Sequence, residues 1–497
     1  MIYGMTQSED LFVLQNGKTK YFLDHETCSV KGVITFLPDP VHPGNLYLAT
    51  KDSTICYGAL EDHFANAVST DVSPLTNINL LEYIDGQVWI CSDTGIGNID
   101  ESGFHLIDNL LMENSIEHVM TDYEGNLWFT SSRLGVMKVV PNQFADVFLQ
   151  HDLPATVVNS TCMYDQQLFM GTDDGLLVVA DGEKITSLPL TKAVSASGTD
   201  LGTSDLIEYL DGVRIRSIIR DSRERLWIST WRKYGLLRYD HGELMAFTPE
   251  DGLFSDRVRV ICERKDGTIM VVNTGGISII EDDRVIQSFG VESGIVNTEI
   301  LTAAEGTNGD IILGSDGGGI YVIGKNGTRH IGYDDGLAAE VIMRVKRDPY
   351  RNVYWIITTN SIAYMDDEYH VKTIQNFPYP NNFDIFFNSH GEAWVLAGSG
   401  IYVLPAEELL NAGDLSPLFY SHDNGLPCIT TANSYSELTA DGDLYISGTT
   451  CVCKVNIEKP FEDVDSLKAA VPYIEADGKT IYPDDSGISP YLPEPKS

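Results

Sequence analysis

Eleven copies of one short frame recur along the chain, and their spacing restricts what it can fold into. One copy reads Asp122-Tyr-Glu-Gly-Asn-Leu-Trp128-Phe-Thr-Ser131 and continues Gly135-Val-Met-Lys-Val. Another reads Asp221-Ser-Arg-Glu-Arg-Leu-Trp227-Ile-Ser-Thr230 and continues Gly235-Leu-Leu-Arg-Tyr. Aligned on one aromatic or apolar anchor, the copies centre on Tyr3, Tyr47, Trp89, Trp128, Phe169, Trp227, Met270, Ile312, Trp355, Trp394 and Tyr445. Most neighbours are 39 to 44 residues apart, and two longer gaps, before Trp227 and Tyr445, read as loop insertions. A hydroxyl stands three residues after the anchor in eight copies: Thr6, Thr50, Ser92, Ser131, Thr172, Thr230, Ser315 and Thr358.

Each copy reads as four strands. An apolar alternation such as Val258-Arg-Val-Ile-Cys-Glu263 precedes an Asp/Asn-Gly turn, a strong hairpin signal. The anchor strand, a turn at a glycine, a third strand such as Gly319–Ile323 and a weaker fourth follow. With no long helical periodicity, sandwich, barrel and propeller remain. A period of about 42 residues selects the propeller, in which each blade is one four-stranded sheet. The predicted fold class is therefore all-β, an array of propeller blades. A lone blade leaves both faces bare, so the anchors are expected to fill the gaps between blades, at about 2–3 kcal/mol each.

The connector Asp-Gly-Leu occurs at Asp251–Leu253 and Asp335–Leu337, with variants at Ser293–Ile295, Asn424–Leu426 and His151–Leu153. All lie beyond residue 150, where seven anchors follow. This predicts a complete seven-bladed propeller over 150–458 and about three and a half blades of a second, larger propeller over 1–149. Residues 459–497 read as a linker and the start of a small β domain, with a strand–turn–strand pattern over Val471–Ile481.

The chemistry of the chain is sparse. With 33 Lys+Arg against 72 Asp+Glu, its net charge of −39 disfavours nucleic acid and anionic lipid surfaces. No run reaches the ~18 apolar residues of a membrane helix, and the N-terminus lacks a signal-peptide pattern, so any membrane link is expected through a further segment. The eight cysteines show no metal-ligand spacing, and the histidines form no His-x-x-x-His pair. Neither a Gly-x-Ser-x-Gly elbow nor a phosphate loop occurs. Asp/Gly clusters such as Thr172–Gly175 and Ser315–Gly319 sit at the second turn and read as tight turns. No catalytic residue, metal site or cofactor is expected.

The frame around Trp128 and Trp227, with the Asp-Gly-Leu connectors, resembles the repeat of the two-component regulator propeller family. The tail Pro472-Tyr-Ile-Glu-Ala-Asp-Gly-Lys479 resembles the start of the tyrosine-rich β-sandwich (Y_Y_Y domain) that follows such propellers. The resemblance implies the extracytoplasmic sensor region of a dimeric bacterial receptor, receiving a glycan fragment or other small ligand. It implies a kinase or cyclase output module outside this chain. Two alternatives remain open. Asn126-Leu-Trp-Phe-Thr130 also resembles the repeat of streptogramin lyases, although Ser131-Ser-Arg-Leu-Gly135 departs from it, and a purely structural or protein-interaction propeller shares every feature used.

Candidate ligand residues follow from charge and aromaticity. Trp231-Arg232-Lys233-Tyr234 replaces the small residues found at the second turn of other blades. Arg214 and Arg216 open one first strand, and Arg257 and Arg259 open the next. First strands line a propeller's channel, so these side chains are expected at one mouth, where Trp231, Arg232 and Tyr234 could stack on sugars or pair with carboxylates. The competing expectation is pairing of the arginines with nearby Asp or Glu.

Overall fold

The computed structural model describes residues 1–107, 112, 114–122, 125–139, 143–377, 379–411, 415–459, 474–476 and 479–481. It consists of small antiparallel sheets in two compact units, Met1–Pro141 with Glu462–Ser497, and Asn142–Phe461. The first holds four sheets in sequence over residues 2–139, of three, four, four and three strands, and a separate hairpin of Ile474–Ala476 with Lys479–Ile481. Every anchor from Tyr3 to Tyr445 lies on the strand predicted for it.

The second unit is a seven-bladed propeller. First strands run at Val158–Tyr164, Ile215–Arg220, Val258–Glu263, Ile300–Glu305, Ile342–Arg347, Asn382–Phe387 and Glu437–Leu438. The first six contact one another in sequence, and the last returns to Val158–Tyr164, which closes the ring. The seventh sheet takes its outer strand from the other end of the unit: Ala145 pairs with Lys454 and Asp146 with Cys453. Phe144, Val147, Phe148 and Leu153 are buried beside Ile446, Val455 and Trp394. Burying side chains of this size contributes about 2 kcal/mol each, so closure rests on packing as well as on the strand pair. The closing strand lies before residue 150, in a segment whose sequence carries no copy of the frame.

From Phe169 to Trp394 the anchors are 0–1% exposed. Trp227 packs on Val258, Ile261 and Val271 of the next blade, and Trp355 on Ile385, Phe387 and Val395 of its own neighbour. The aspartate six or seven residues upstream serves two ends at once. Asp221 accepts hydrogen bonds from the backbone N–H of Arg223 and Arg225, fixing the turn, and from Trp227 Nε1 at 2.8 Å, fixing the ring. Asp348 does the same for Trp355 at 2.8 Å, and Asp122 holds the Trp128 indole at 2.7 Å. The hydroxyl after the anchor closes the second turn. Ser92, Thr172, Thr230, Ser315 and Thr358 each donate at 2.9 Å to the carbonyl that ends it.

The connectors share one geometry. Thr248 and Asp251 cap a short 3-10 turn, Gly252 takes φ 105°, and Leu253 is buried with its N–H on Thr248 O. Gly336 repeats this at φ 105°. In the divergent copy Asp152 stands at the glycine position with φ 48°, a conformation aspartate tolerates better than most residues. The insertion before Trp227 is more than a loop, because Lys192–Ser195 pairs in parallel with Glu243–Phe247 as a fifth, outermost strand.

Two measurements test this account. Asp221→Ala leaves the indole and turn N–H groups without an acceptor and should cost about 2–4 kcal/mol in chemical denaturation, against about 1–2 for Trp227→Phe. Burial opposes ionisation of Asp221, but the Trp227 and Arg225 hydrogen bonds outweigh it and hold the carboxyl below its ordinary range. Its stabilisation is thus complete above the ordinary carboxylate pKa and lost as pH falls through the folded value, and Asp221→Asn should flatten that acid limb. Secondly, residues 142–461 expressed alone should melt cooperatively, and a version starting at 150 should melt several degrees lower. Equal melting would show that Phe144–Phe148 do not close the ring.

Candidate functional site

The first strands do not run regularly into the channel. In the first six blades the pairing with the second strand shifts by one residue near the start, as between Ile215 and Ser217, Val258 and Val260, and Ile342 and Arg344. Such a bulge adds a residue and re-aims its side chain. Arg216 and Arg259 occupy the extra position in adjacent blades, so they do not simply alternate with Arg214 and Arg257.

These side chains meet over one ring. Trp231 is held by its N–H on Arg214 O at 2.9 Å and by a bridge to Arg257. The guanidinium carbons of Arg216, Arg259 and Arg257 lie 5.2, 5.7 and 6.0 Å from the Trp231 ring centre. Arg214 is different, since it pairs with Asp173 at 2.7 Å. Among the described residues no carboxylate lies within ion-pair distance of Arg216, Arg257 or Arg259. Arg216 is 8% exposed and donates to Asn433 Oδ1 at 3.2 Å. Burial, and then the charge of Arg259, pull its pKa below the ordinary arginine value.

The rest of the Trp-Arg-Lys-Tyr run turns elsewhere. Tyr234 stacks on Tyr209 at 4.0 Å and packs against the core between the first two blades. Arg232 is exposed, with φ 71° and its N–H on Asp256 O. Trp231, Arg216, Arg257 and Arg259 therefore form one cluster, and Arg214, Arg232 and Tyr234 stand at its edge or outside it.

A bar crosses the channel beside this cluster. Tyr435 takes an N–H···O bond to Asn159 at 2.7 Å, and its hydroxyl donates to Leu301 O at 3.0 Å, three blades further round the ring. Arg344 lies 4.0 Å from the Tyr435 ring centre and donates to Ser434 O and to Asp384 at 3.4 Å. On the far side lies a cavity of about 510 Å³, lined among others by Cys162, Glu305, Lys346, Asp384 and Glu437. Lys346 pairs with Asp384 at 2.6 Å. Sequence reasoning missed the bar because Asn433–Tyr435 falls in the long gap before Tyr445, and an aromatic inside that gap was its only signal.

Two clusters with metal-ligand chemistry, Asp10-Asp24-His25 and Asp366-Glu368-His370, lie on the surface. Their aspartates accept from nearby N–H groups, Asp10 from His25, Asp24 from Glu26, and Asp366 from Glu368, His370 and the His370 ring. Burial pushes Glu437 up to about 7, against an N–H bond from Met163 and the charge of Arg220. A raised carboxyl destabilises the fold as it ionises, so this contribution to stability declines from about pH 4.5 through 7. Glu437→Gln should flatten that decline in pH-dependent melting. An unchanged slope would place Glu437 in contact with water.

No protein-family profile matches the chain, and no curated protein matches it. Solved structures do. The extracellular domain of a Bacteroides thetaiotaomicron protein named as a hybrid two-component system is similar over 90% of this chain and 65% of its own, with 17% identity and a TM-score of 0.66. The extracellular domain of a one-component system from the same organism is similar over 97% and 68%, with 14% identity and a TM-score of 0.50. This chain thus spans just under two thirds of the first of these structures. Virginiamycin B lyase from Staphylococcus aureus aligns with 63% of this chain and 97% of its own at 13% identity, but its TM-score of 0.45 carries no argument. At these identities the similarity establishes the fold, a β-propeller.

Proposed function

We propose that this chain is the ligand-sensing, extracytoplasmic propeller region of a bacterial signal-transduction receptor and takes a glycan or other small ligand at the Trp231 mouth. One observation carries the reading: three guanidinium groups surround a half-buried indole, and among the described residues no carboxylate is within ion-pair distance of them. An aromatic platform with convergent polar groups is a usual composition for a small-ligand pocket. The fold shared with extracellular domains of two receptor systems supports the sensor class over the lyase. So does the frame itself, since Ser131-Ser-Arg-Leu-Gly135 departs from the lyase repeat. Among the described residues no helix is long and apolar enough to cross a membrane. The membrane segment, the output module and a dimeric receptor belong to the same proposal, as does assignment of the four sheets of residues 2–139 to a second propeller and of the Ile474–Ile481 hairpin to a Y_Y_Y-like domain.

The structure separates two aromatic residues that the sequence grouped. In a thermal-shift screen against oligosaccharides, at least one should raise the melting temperature of the wild type. Trp231→Ala should abolish that shift with little change in intrinsic stability. Tyr234→Ala should lower the melting temperature through the Tyr209 stack and leave the shift intact. A shift that survives Trp231→Ala would move the site elsewhere.

A further inference from the structure

We infer that the ligand of this mouth presents a carboxylate at its leading end, gripped by Arg216 and Arg259 over the face of Trp231, as a terminal uronic acid would. The inference rests on reading the mouth as a ligand site and adds the chemistry of what enters it.

The chain carries 72 acidic residues against 33 Lys+Arg, so a carboxylate is available to almost any arginine. Elsewhere the channel uses them: Lys346 and Arg344 share Asp384, and Arg347 pairs with Asp367. At the mouth, among the described residues, only Arg214 is served. Its partner Asp173 accepts from Arg214 on one oxygen and from Asn159 Nδ2 at 2.9 Å on the other, and acts on Arg216 only from beyond ion-pair distance. Arg216, Arg257 and Arg259 remain as a like-charged trio around one ring.

Arginine cannot relieve such repulsion by losing its proton, and each guanidinium carries five N–H donors. Arg216, more than nine-tenths buried, has one neutral acceptor, Asn433 Oδ1. A buried cation with no counter-charge in contact is costly. An anion from outside would relieve that cost, and the arrangement is maintained by rigid elements: two strand bulges, the backbone bonds of Trp231, and the Asn433–Tyr435 segment. Two guanidinium forks suit a bidentate carboxylate, and the indole face suits a sugar ring. The bar of Tyr435 and Arg344 blocks passage along the channel, so a ligand is met by its end and not threaded through.

The test uses the full chain with trigalacturonate, its uncharged methyl ester, and sodium acetate as the bare anion. Trigalacturonate should raise the melting temperature by several degrees, with affinity at least tenfold weaker at 0.5 M salt than at 0.05 M. The methyl ester and acetate should give no shift at the same concentration. Arg216→Gln and Arg259→Gln should each lose tenfold or more in affinity. Without ligand, each variant should melt at or above the wild-type temperature, because repulsion has been removed. An arginine with a merely structural role would lower the melting temperature instead. Equal binding of acid and ester, lost in Trp231→Ala, would overturn the carboxylate and leave the mouth as the ligand site. No response to trigalacturonate, or a response unchanged in both arginine variants, would overturn the inference outright.

Discussion

A propeller blade is apolar on both faces, so every blade needs a neighbour on each side, and a ring satisfies this only if its two ends meet. Here they meet in one sheet, where Ala145–Asp146 pairs with the strand Val452–Asn456. Phe144, Val147 and Phe148 fill the space beneath. The rest of the unit depends on that junction. Anchors such as Trp227, Trp355 and Trp394 are buried because the following blade is held in place. The mouth exists because adjacent first strands are held side by side. The bar crosses from the last blade to Leu301, a span that only a closed ring fixes.

The junction also explains why a costly arrangement of charge persists. Three arginines around one indole repel one another, and an open array could relieve the strain by letting neighbouring blades separate. Within a closed ring each blade is fixed by apolar contacts on both faces, so the strands that carry the arginines cannot move apart without exposing core. Fold stability in this way holds the cluster of charge in place.

Much of this was legible in the sequence. The anchors, the Asp-Gly turns and the connectors are local signals, each produced by a few adjacent residues, and each lies where its local chemistry requires. Asp152 in the place of a connector glycine was readable because aspartate tolerates the same left-handed backbone. The site was only partly legible. Arg216 and Arg259 were identified by charge, but their convergence on Trp231 depends on the strand bulges, which leave no mark that residue alternation would reveal. Tyr234 shared a run with Trp231 and yet faces Tyr209, because a turn sends neighbouring side chains in different directions. The closing strand and the bar were invisible for a further reason: each makes its contacts across more than a hundred residues, as Ala145 does with Lys454 and Tyr435 with Asn159 and Leu301.

Native-state hydrogen exchange addresses closure most directly, because it reads each blade separately. The backbone amides of Asp443–Ser447 and Val452–Asn456 should exchange only through global unfolding, with the same free energy as those of Ile311–Ser315 in the middle of the ring. Exchange of the last sheet at a markedly lower free energy, with the middle blades still protected, would show a ring that opens at its seam and would contradict the account.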